Sequence, residues 1–304
     1  MEALAQGTNR ATHIRVLTLL QCCHESGWEE TLCQKVNFQT ELLRFDTLSQ
    51  HFVPYLPISG IWYNFSADGK WVVYSALPGR ELVRSNLDGS QRVVLTKPSW
   101  PTRPALSPDG SKVVYRYIGS VWLIGSEGGD SERVADEAYE RPCWSPDGKF
   151  LALDYRPKPS ARSQIVTLNL ADRRTKVLPS SEGFDTPRWS PDGMHLAALG
   201  EKSVVVFDFD NRTWVTVADF RGEFPNWSPD GKSLYFTGMH DGEAVVYRVR
   251  IENRKLELVT SLKEVRRSTL DSFYSWVGIA PDGSILAMRD DTTVDLYALD
   301  LRLP

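Results

Sequence analysis

One six-residue phrase recurs six times along the chain: FSADGK from Phe65, LSPDGS from Leu106, WSPDGK from Trp144, WSPDGM from Trp189, WSPDGK from Trp227 and IAPDGS from Ile279. Counted from the second residue, the copies stand at 66, 107, 145, 190, 228 and 280, with spacings of 41, 38, 45, 38 and 52 residues. Self-similarity at such a period means that one supersecondary unit is repeated, and that unit decides the fold. Each copy leads into a run of β-branched, aromatic or aliphatic residues, such as FLALDY from Phe150 or SLYFTG from Ser233. A second run follows (QIVTLNL, SVVVFDF), then a polar turn (NLADRRT, DFDNRT) and a third run (TKVLP, TWVTVA). With the short segment ahead of the phrase, RPCW or TPRW, each unit supplies four short strands. The expected fold is therefore all-β: a six-bladed β-propeller of four-stranded antiparallel blades.

The phrase suits a tight connection between the first and second strands of a blade. Pro presets φ near −65°, Asp accepts hydrogen bonds from nearby backbone N–H groups, and Gly takes the positive φ that other residues avoid. Asp68, Asp109, Asp147, Asp192, Asp230 and Asp282 are accordingly expected to be turn formers. As catalytic acids or calcium ligands they would have to converge, whereas equivalent turns are spread around a ring. The residue ahead of the turn, aromatic at Phe65, Trp144, Trp189 and Trp227, is expected to pack between neighbouring blades.

The chain ends bear on how the ring closes. The last unit, APDGSILAMRDDTTVDLYALDLRLP, holds a first, second and third strand and no fourth, while ELLRFDTLSQHFVPYL (residues 41–56) aligns with the third-to-fourth strand hairpins of other units. HFVPYL can complete the last blade and remove its open edge. ELLRFD then either displaces VDLYALD as third strand or is the remnant of another blade, the second option implying a truncated chain. Residues 1–40 carry no blade pattern and are read as a separate N-terminal segment, helical or disordered, ahead of a propeller over 41–304.

Among 304 residues a formal charge of −4 gives no global pull toward nucleic acid or anionic membrane. The clusters EVRR at 264–267 and DRRT at 172–175 read as solvated loops, so direct nucleic-acid binding is not expected. The apolar stretch IRVLTLL at 14–20 is too short to span a bilayer and lacks the features of an export signal. Cys22, Cys23, Cys33 and Cys143 form neither a disulfide framework nor a metal spacing. No nucleophile elbow, zinc-protease motif or phosphate-cradling loop occurs, and the five histidines form no ligand-like pair. No catalytic residue, metal or cofactor is expected.

The expected site is electrostatic. Alternation along a strand places residues two and four positions before the motif Ser on one face, and these positions hold Arg103, Arg141 and Arg188 in consecutive blades. First strands line a propeller's channel, so the three guanidiniums can converge at one mouth and hold a carboxylate or phosphate. The alternative is that each pairs with a blade-edge acid such as Glu140 or Asp185. Tyr63, Asn64, Asn226 and Tyr274 occupy comparable inner positions and would make the mouth polar and aromatic, as suits a protein or peptide partner.

The phrases PRWSPDG, PCWSPDGK and PNWSPDGK resemble the repeats of the TolB-like β-propellers, over residues 41–304. Stretches such as FSADGKWVVYSALPGRELVRSNLDGSQRVVLT and the ending DLYALDLRLP are also similar to the propeller half of large bacterial proteins, common in Acidobacteria, that join a winged-helix domain to such repeats. The resemblance implies a non-catalytic module for protein interaction or ligand sensing, and a periplasmic setting, although no export signal is visible; a monomer is expected. The rival expectations are an enzyme or the accessory propeller of a peptidase or other hydrolase, and a truncated product with no independent role.

Overall fold

The computed structural model describes residues 19–23, 30–97, 99–136, 139–158, 160–267 and 275–300. They fall into two compact units, Phe38–Asp291 and a second made of Met1–Asn37 with Thr292–Pro304. Among the described residues, no helix is long and apolar enough to cross a membrane.

The larger unit is built from six four-stranded antiparallel sheets. Blade I comprises Gly60–Phe65, Trp71–Ala76, Leu82–Asn86 and Val93–Val94. Blade II comprises Thr102–Leu106, Lys112–Tyr117, Ser120–Gly125 and Glu132–Ala135. Blade III comprises Tyr139–Trp144, Phe150–Tyr155, Gln164–Asn169 and Thr175–Val177. Blade IV comprises Asp185–Trp189, His195–Leu199, Val204–Asp208 and Thr213–Ala218. Blade V comprises Glu223–Trp227, Ser233–His240, Glu243–Arg250 and Leu256–Ser261. Blade VI joins Val277–Ile279 and Ile285–Asp290 to Thr40–Asp46 and His51–Leu56 from the other end of the chain.

Of the two closures open from sequence, displacement is the one observed. Thr40–Asp46, which contains ELLRFD, is the third strand of blade VI, in register Met288↔Leu42 and Leu286↔Arg44, and HFVPYL is the fourth. In the second unit Thr293–Asp300 pairs instead with Glu30–Asn37, which also pairs with Leu19–Cys23 in a three-stranded antiparallel sheet. Those described residues among the first 40 are thus mostly extended.

The motif turns share one hydrogen-bond pattern. In blades I to V the Ser hydroxyl donates to the Asp carboxylate at 2.5–2.6 Å and accepts the N–H that opens the second strand at 2.9 Å, as Phe150 N–H does at Ser145. The same carboxylate oxygen accepts a second N–H two residues on, from Lys70, Ser111, Lys149, Met194 and Lys232. The Gly that follows Asp has φ of 69–76° in these five turns, a region that costs other residues strain. The Ser hydroxyl is the main cause holding Asp68, Asp109, Asp147 and Asp230 below the usual carboxylate range. Blade VI has Ala280 in place of Ser, and Asp282 keeps the bond from Ser284 N–H.

Between blades, the residue ahead of the motif is the wedge. Trp144 is buried among Val114, Val121 and Leu123 of blade II and donates its indole N–H to Ala105 O at 3.0 Å. Trp227 does the same two interfaces on, to Arg188 O at 2.8 Å. Leu106 packs on Val73 and Leu82 of blade I, and Phe65 meets Tyr55 of blade VI. Trp189 differs: its indole stacks on Phe209 of its own blade at 5.2 Å and bonds to Gly193 O at 3.3 Å.

Candidate functional site in the central channel

The first strand of each of blades I to V carries one extra residue relative to its partner, a bulge two to five residues before the motif Ser. In blade V, for example, the ladder passes from Glu223↔Thr237 to Asn226↔Tyr235, and blades I to IV repeat the shift. Trp62, Arg103, Arg141, Thr186 and Phe224 occupy the same place in it, each with φ between 48° and 59°. Pro104, Pro142, Pro187 and Pro225 come next. A bulge frees an N–H from the ladder, which is where a strand tolerates Pro, and it re-aims the side chains around it.

That bulge breaks the alternation from which a single cationic mouth was expected. Two cavities result. One, of about 430 Å³, opens on the face of the Ser-Pro-Asp-Gly turns and is lined by Tyr63, Asn64, Arg103, Arg188 and Asn226, together with Cys143. The other, of about 540 Å³, lies on the opposite face and is lined by Arg103, Arg116, Glu140 and Arg141. Trp62 and Arg103 border both, with the guanidinium carbon 4.2 Å from the indole centroid. Trp62 also lies 6.3 Å from the ring of Phe224, reaching from blade I to blade V. Tyr274 lies outside the described residues.

The three arginines have different environments. Arg141 donates to the buried Asp154 carboxylate at 2.6 Å and lies 3.8 Å from Glu140. Burial works against its charge, but Asp154, then Asp185 and Glu140, outweigh burial and hold it above its ordinary range. Glu140 also binds Arg116 at 3.1 Å, and Asp185 is engaged by Arg221 at 3.3 Å. Pairing with an acid thus holds for Arg141, with Asp154 as the shorter partner. Arg188 donates to Pro187 O at 2.8 Å and Arg103 rests on Trp62; among the described residues neither has a carboxylate partner. Burial, then the charges of Arg141 and Arg188, push Arg103 below the usual guanidinium range, and burial does the same to Arg188.

The polar residues around them tie blades together. Asn64 Oδ1 accepts Leu106 N–H at 2.9 Å, and Asn226 Nδ2 donates to Phe224 O at 2.7 Å and Val277 O at 3.2 Å. Cys143, missed as a channel residue in the sequence, takes the place of Asn64 two blades on: its sulfur accepts Trp189 N–H at 3.2 Å, and burial pushes its thiol up. Tyr63 is buried against Tyr74 and Trp276 at 5.8 and 5.6 Å, and burial raises its phenol well above the ordinary value. Trp276 of blade VI leans over Gly278, where a Cβ would fall 2.3 Å from the indole.

Six four-stranded blades, with the rings of Trp62 and Phe224 meeting between blades I and V and two guanidiniums without a carboxylate partner among the described residues, define a β-propeller with a candidate cationic site. The model of the TolB β-propeller domain family matches residues 126–300, more than half of the 304, and the chain belongs to that family. No curated protein matches it. Among solved structures it is similar to a putative TolB from Agrobacterium tumefaciens, 19% identical with a TM-score of 0.66, over 83% of this chain and 98% of that one. TolB from Acinetobacter baumannii is 15% identical, TM-score 0.56, over 92% and 82%. An oligogalacturonate lyase from Vibrio parahaemolyticus is 11% identical, TM-score 0.53, over 90% and 96%. At these identities the likeness is one of fold, and the fold is shared by TolB proteins and a lyase.

Proposed function

We propose that the propeller is a non-catalytic binding module whose channel holds an anionic group, a carboxylate or phosphate presented by a protein or peptide partner or by a small ligand. The observation that supports this reading is the pair Arg103 and Arg188, facing one cavity without a carboxylate partner among the described residues. A desolvated positive charge is costly unless something neutralises it, and a bound anion does so with charge-assisted hydrogen bonds. Asn64 and Asn226 are engaged in holding blades together, so the two arginines are the binding groups and the asparagines the frame.

The test is thermal unfolding at constant ionic strength while chloride is exchanged for phosphate or glutarate. A ligand that binds only the folded state at 100 times its Kd adds about 2.7 kcal/mol. The wild type is expected to gain stability in either anion. The Arg103→Gln/Arg188→Gln variant should be as stable as wild type or more so in chloride and gain nothing from the anions. Equal gains in both proteins would remove the channel as the anion site. Arg141 is left intact, because its removal strands the buried Asp154.

A further inference from the structure

The hairpin between the second and third strands of blade II turns through Ile118 and Gly119, with Tyr117 opposite Ser120. Blade V makes the same two-residue turn, His240 opposite Glu243, through Asp241 and Gly242. Their φ values match, 43° and 76° in blade II against 50° and 81° in blade V. Asp-Gly is the pair such a turn favours, whereas a β-branched residue in the left-handed region is strained. Ile118 is nevertheless there, and 71% of its surface is exposed. Neither local conformation nor burial accounts for it, and strain kept at an exposed apolar position points to a function there.

Ile118 stands at the rim of the cavity on the face opposite the motif turns. Trp62 and Trp100 form apolar walls of that cavity. Trp100 is fixed in place: its φ is 61°, the Arg80 guanidinium lies 4.2 Å from its ring centroid, and Phe38 meets it edge-on at 6.5 Å. Of the lining arginines, Arg116 is matched by Glu140 and Arg141 by Asp154, which leaves Arg103 without a carboxylate partner among the described residues. The pocket thus has two aromatic side chains in its lining, a guanidinium that it shares with the motif-face cavity and an exposed apolar residue at its rim. A small molecule held in the pocket would leave Ile118 uncovered, whereas a chain running out of the pocket would cover it.

We propose that this face carries a second docking site, which takes a short acidic segment of a protein partner: a large apolar or aromatic side chain in the cavity lined by Trp62 and Trp100, a neighbouring carboxylate on Arg103, and the flanking residues against Ile118. This goes beyond the anion site on the motif face. The same arrangement explains why blade II spends turn stability on Ile where blade V uses Asp.

The experiment is selection of random heptapeptides on the full chain, followed by fluorescence anisotropy with synthetic copies of those enriched. Enriched peptides should carry Asp or Glu beside Trp, Phe, Leu or Ile. Ile118→Asp and Trp100→Ala should each weaken them tenfold or more, and Leu48→Asp, at a residue 94% exposed on blade VI, should not. Ile118→Asn separates binding from folding, since Asn is at ease in the left-handed turn: its Tm should rise while peptide affinity falls. The proposal is overturned by the absence of any enriched motif, by selection of basic peptides, or by full-strength binding to Ile118→Asn. Phosphate stabilisation through Arg188 is measured independently, so failure here and failure of the channel site are distinguishable.

Discussion

Trp227 and Trp189 occupy the same place in consecutive repeats, yet the structure assigns them unequal weight. Trp227 is 8% exposed, fills the interface between blades IV and V beside Ala197, Leu199 and Leu234, and supplies a hydrogen bond to Arg188 O at 2.8 Å. Phe at 227 would leave that carbonyl without its donor, at about 1–3 kcal/mol. The missing part of the indole adds a cavity term; full truncation of a buried Trp costs about 3–5 kcal/mol, so shrinking to Phe contributes about 1–2. The sum for Trp227→Phe is about 2–5 kcal/mol. Trp189 is only half-buried, bonds within its own blade at 3.3 Å and stacks on Phe209 with 6° between planes, a contact Phe retains. Trp189→Phe should cost about 1 kcal/mol or less. Urea unfolding followed by far-ultraviolet circular dichroism measures both without relying on the indoles. Because Trp227 fixes the main chain at Arg188, its variant should also lose anion stabilisation. Equal losses in the two variants, or a larger one at 189, would refute the idea that the bond across the interface, not the aromatic ring alone, ties blade to blade.

Ser145→Ala removes the acceptor of Phe150 N–H inside the turn and should cost about 1–3 kcal/mol in urea unfolding. Ala280→Ser, which restores the hydroxyl blade VI lacks beside Asp282, should add about 0.5–1 kcal/mol by the same assay. The motif carboxylates are held below their unfolded range, so their contribution is complete above about pH 4 and is lost as pH falls through the depressed folded values. The wild-type urea midpoint should therefore drop steeply below pH 4. Ser145→Ala should lose less over that interval, since the Ser145 hydroxyl is the main reason Asp147 is depressed; parallel curves would contradict this.

The blades were legible because their signal is repeated and local: turn chemistry and strand periods are fixed by neighbours in sequence, and six copies agree. The closure was half legible. Alignment placed HFVPYL in the last blade, but nothing local distinguishes ELLRFD from VDLYALD as third strand, since both alternate acceptably and the choice is made by tertiary pairing.

The channel was misread for an identifiable reason. Strict alternation assigns Arg103 and Arg141 to one face with Arg188, whereas the bulge divides the side chains between two cavities and leaves Arg141 on Asp154. The sequence carries the mark of this bulge: Pro104, Pro142, Pro187 and Pro225 stand three residues before the motif Ser in four consecutive repeats. Pro inside a strand that pairs on the ladder argues for an interruption there. Taken seriously, it moves the residue before each Pro out of the regular pleat, and those residues are Arg103, Arg141, Thr186 and Phe224. In blade I the same position holds Trp62, which meets Phe224 and carries Arg103 on its ring. One structural irregularity, repeated blade by blade, therefore makes both the Trp62–Phe224 ring contact and the placement of Arg103 on Trp62. A site built this way changes by substitution at a bulge position while the ladders that hold the blades stay as they are.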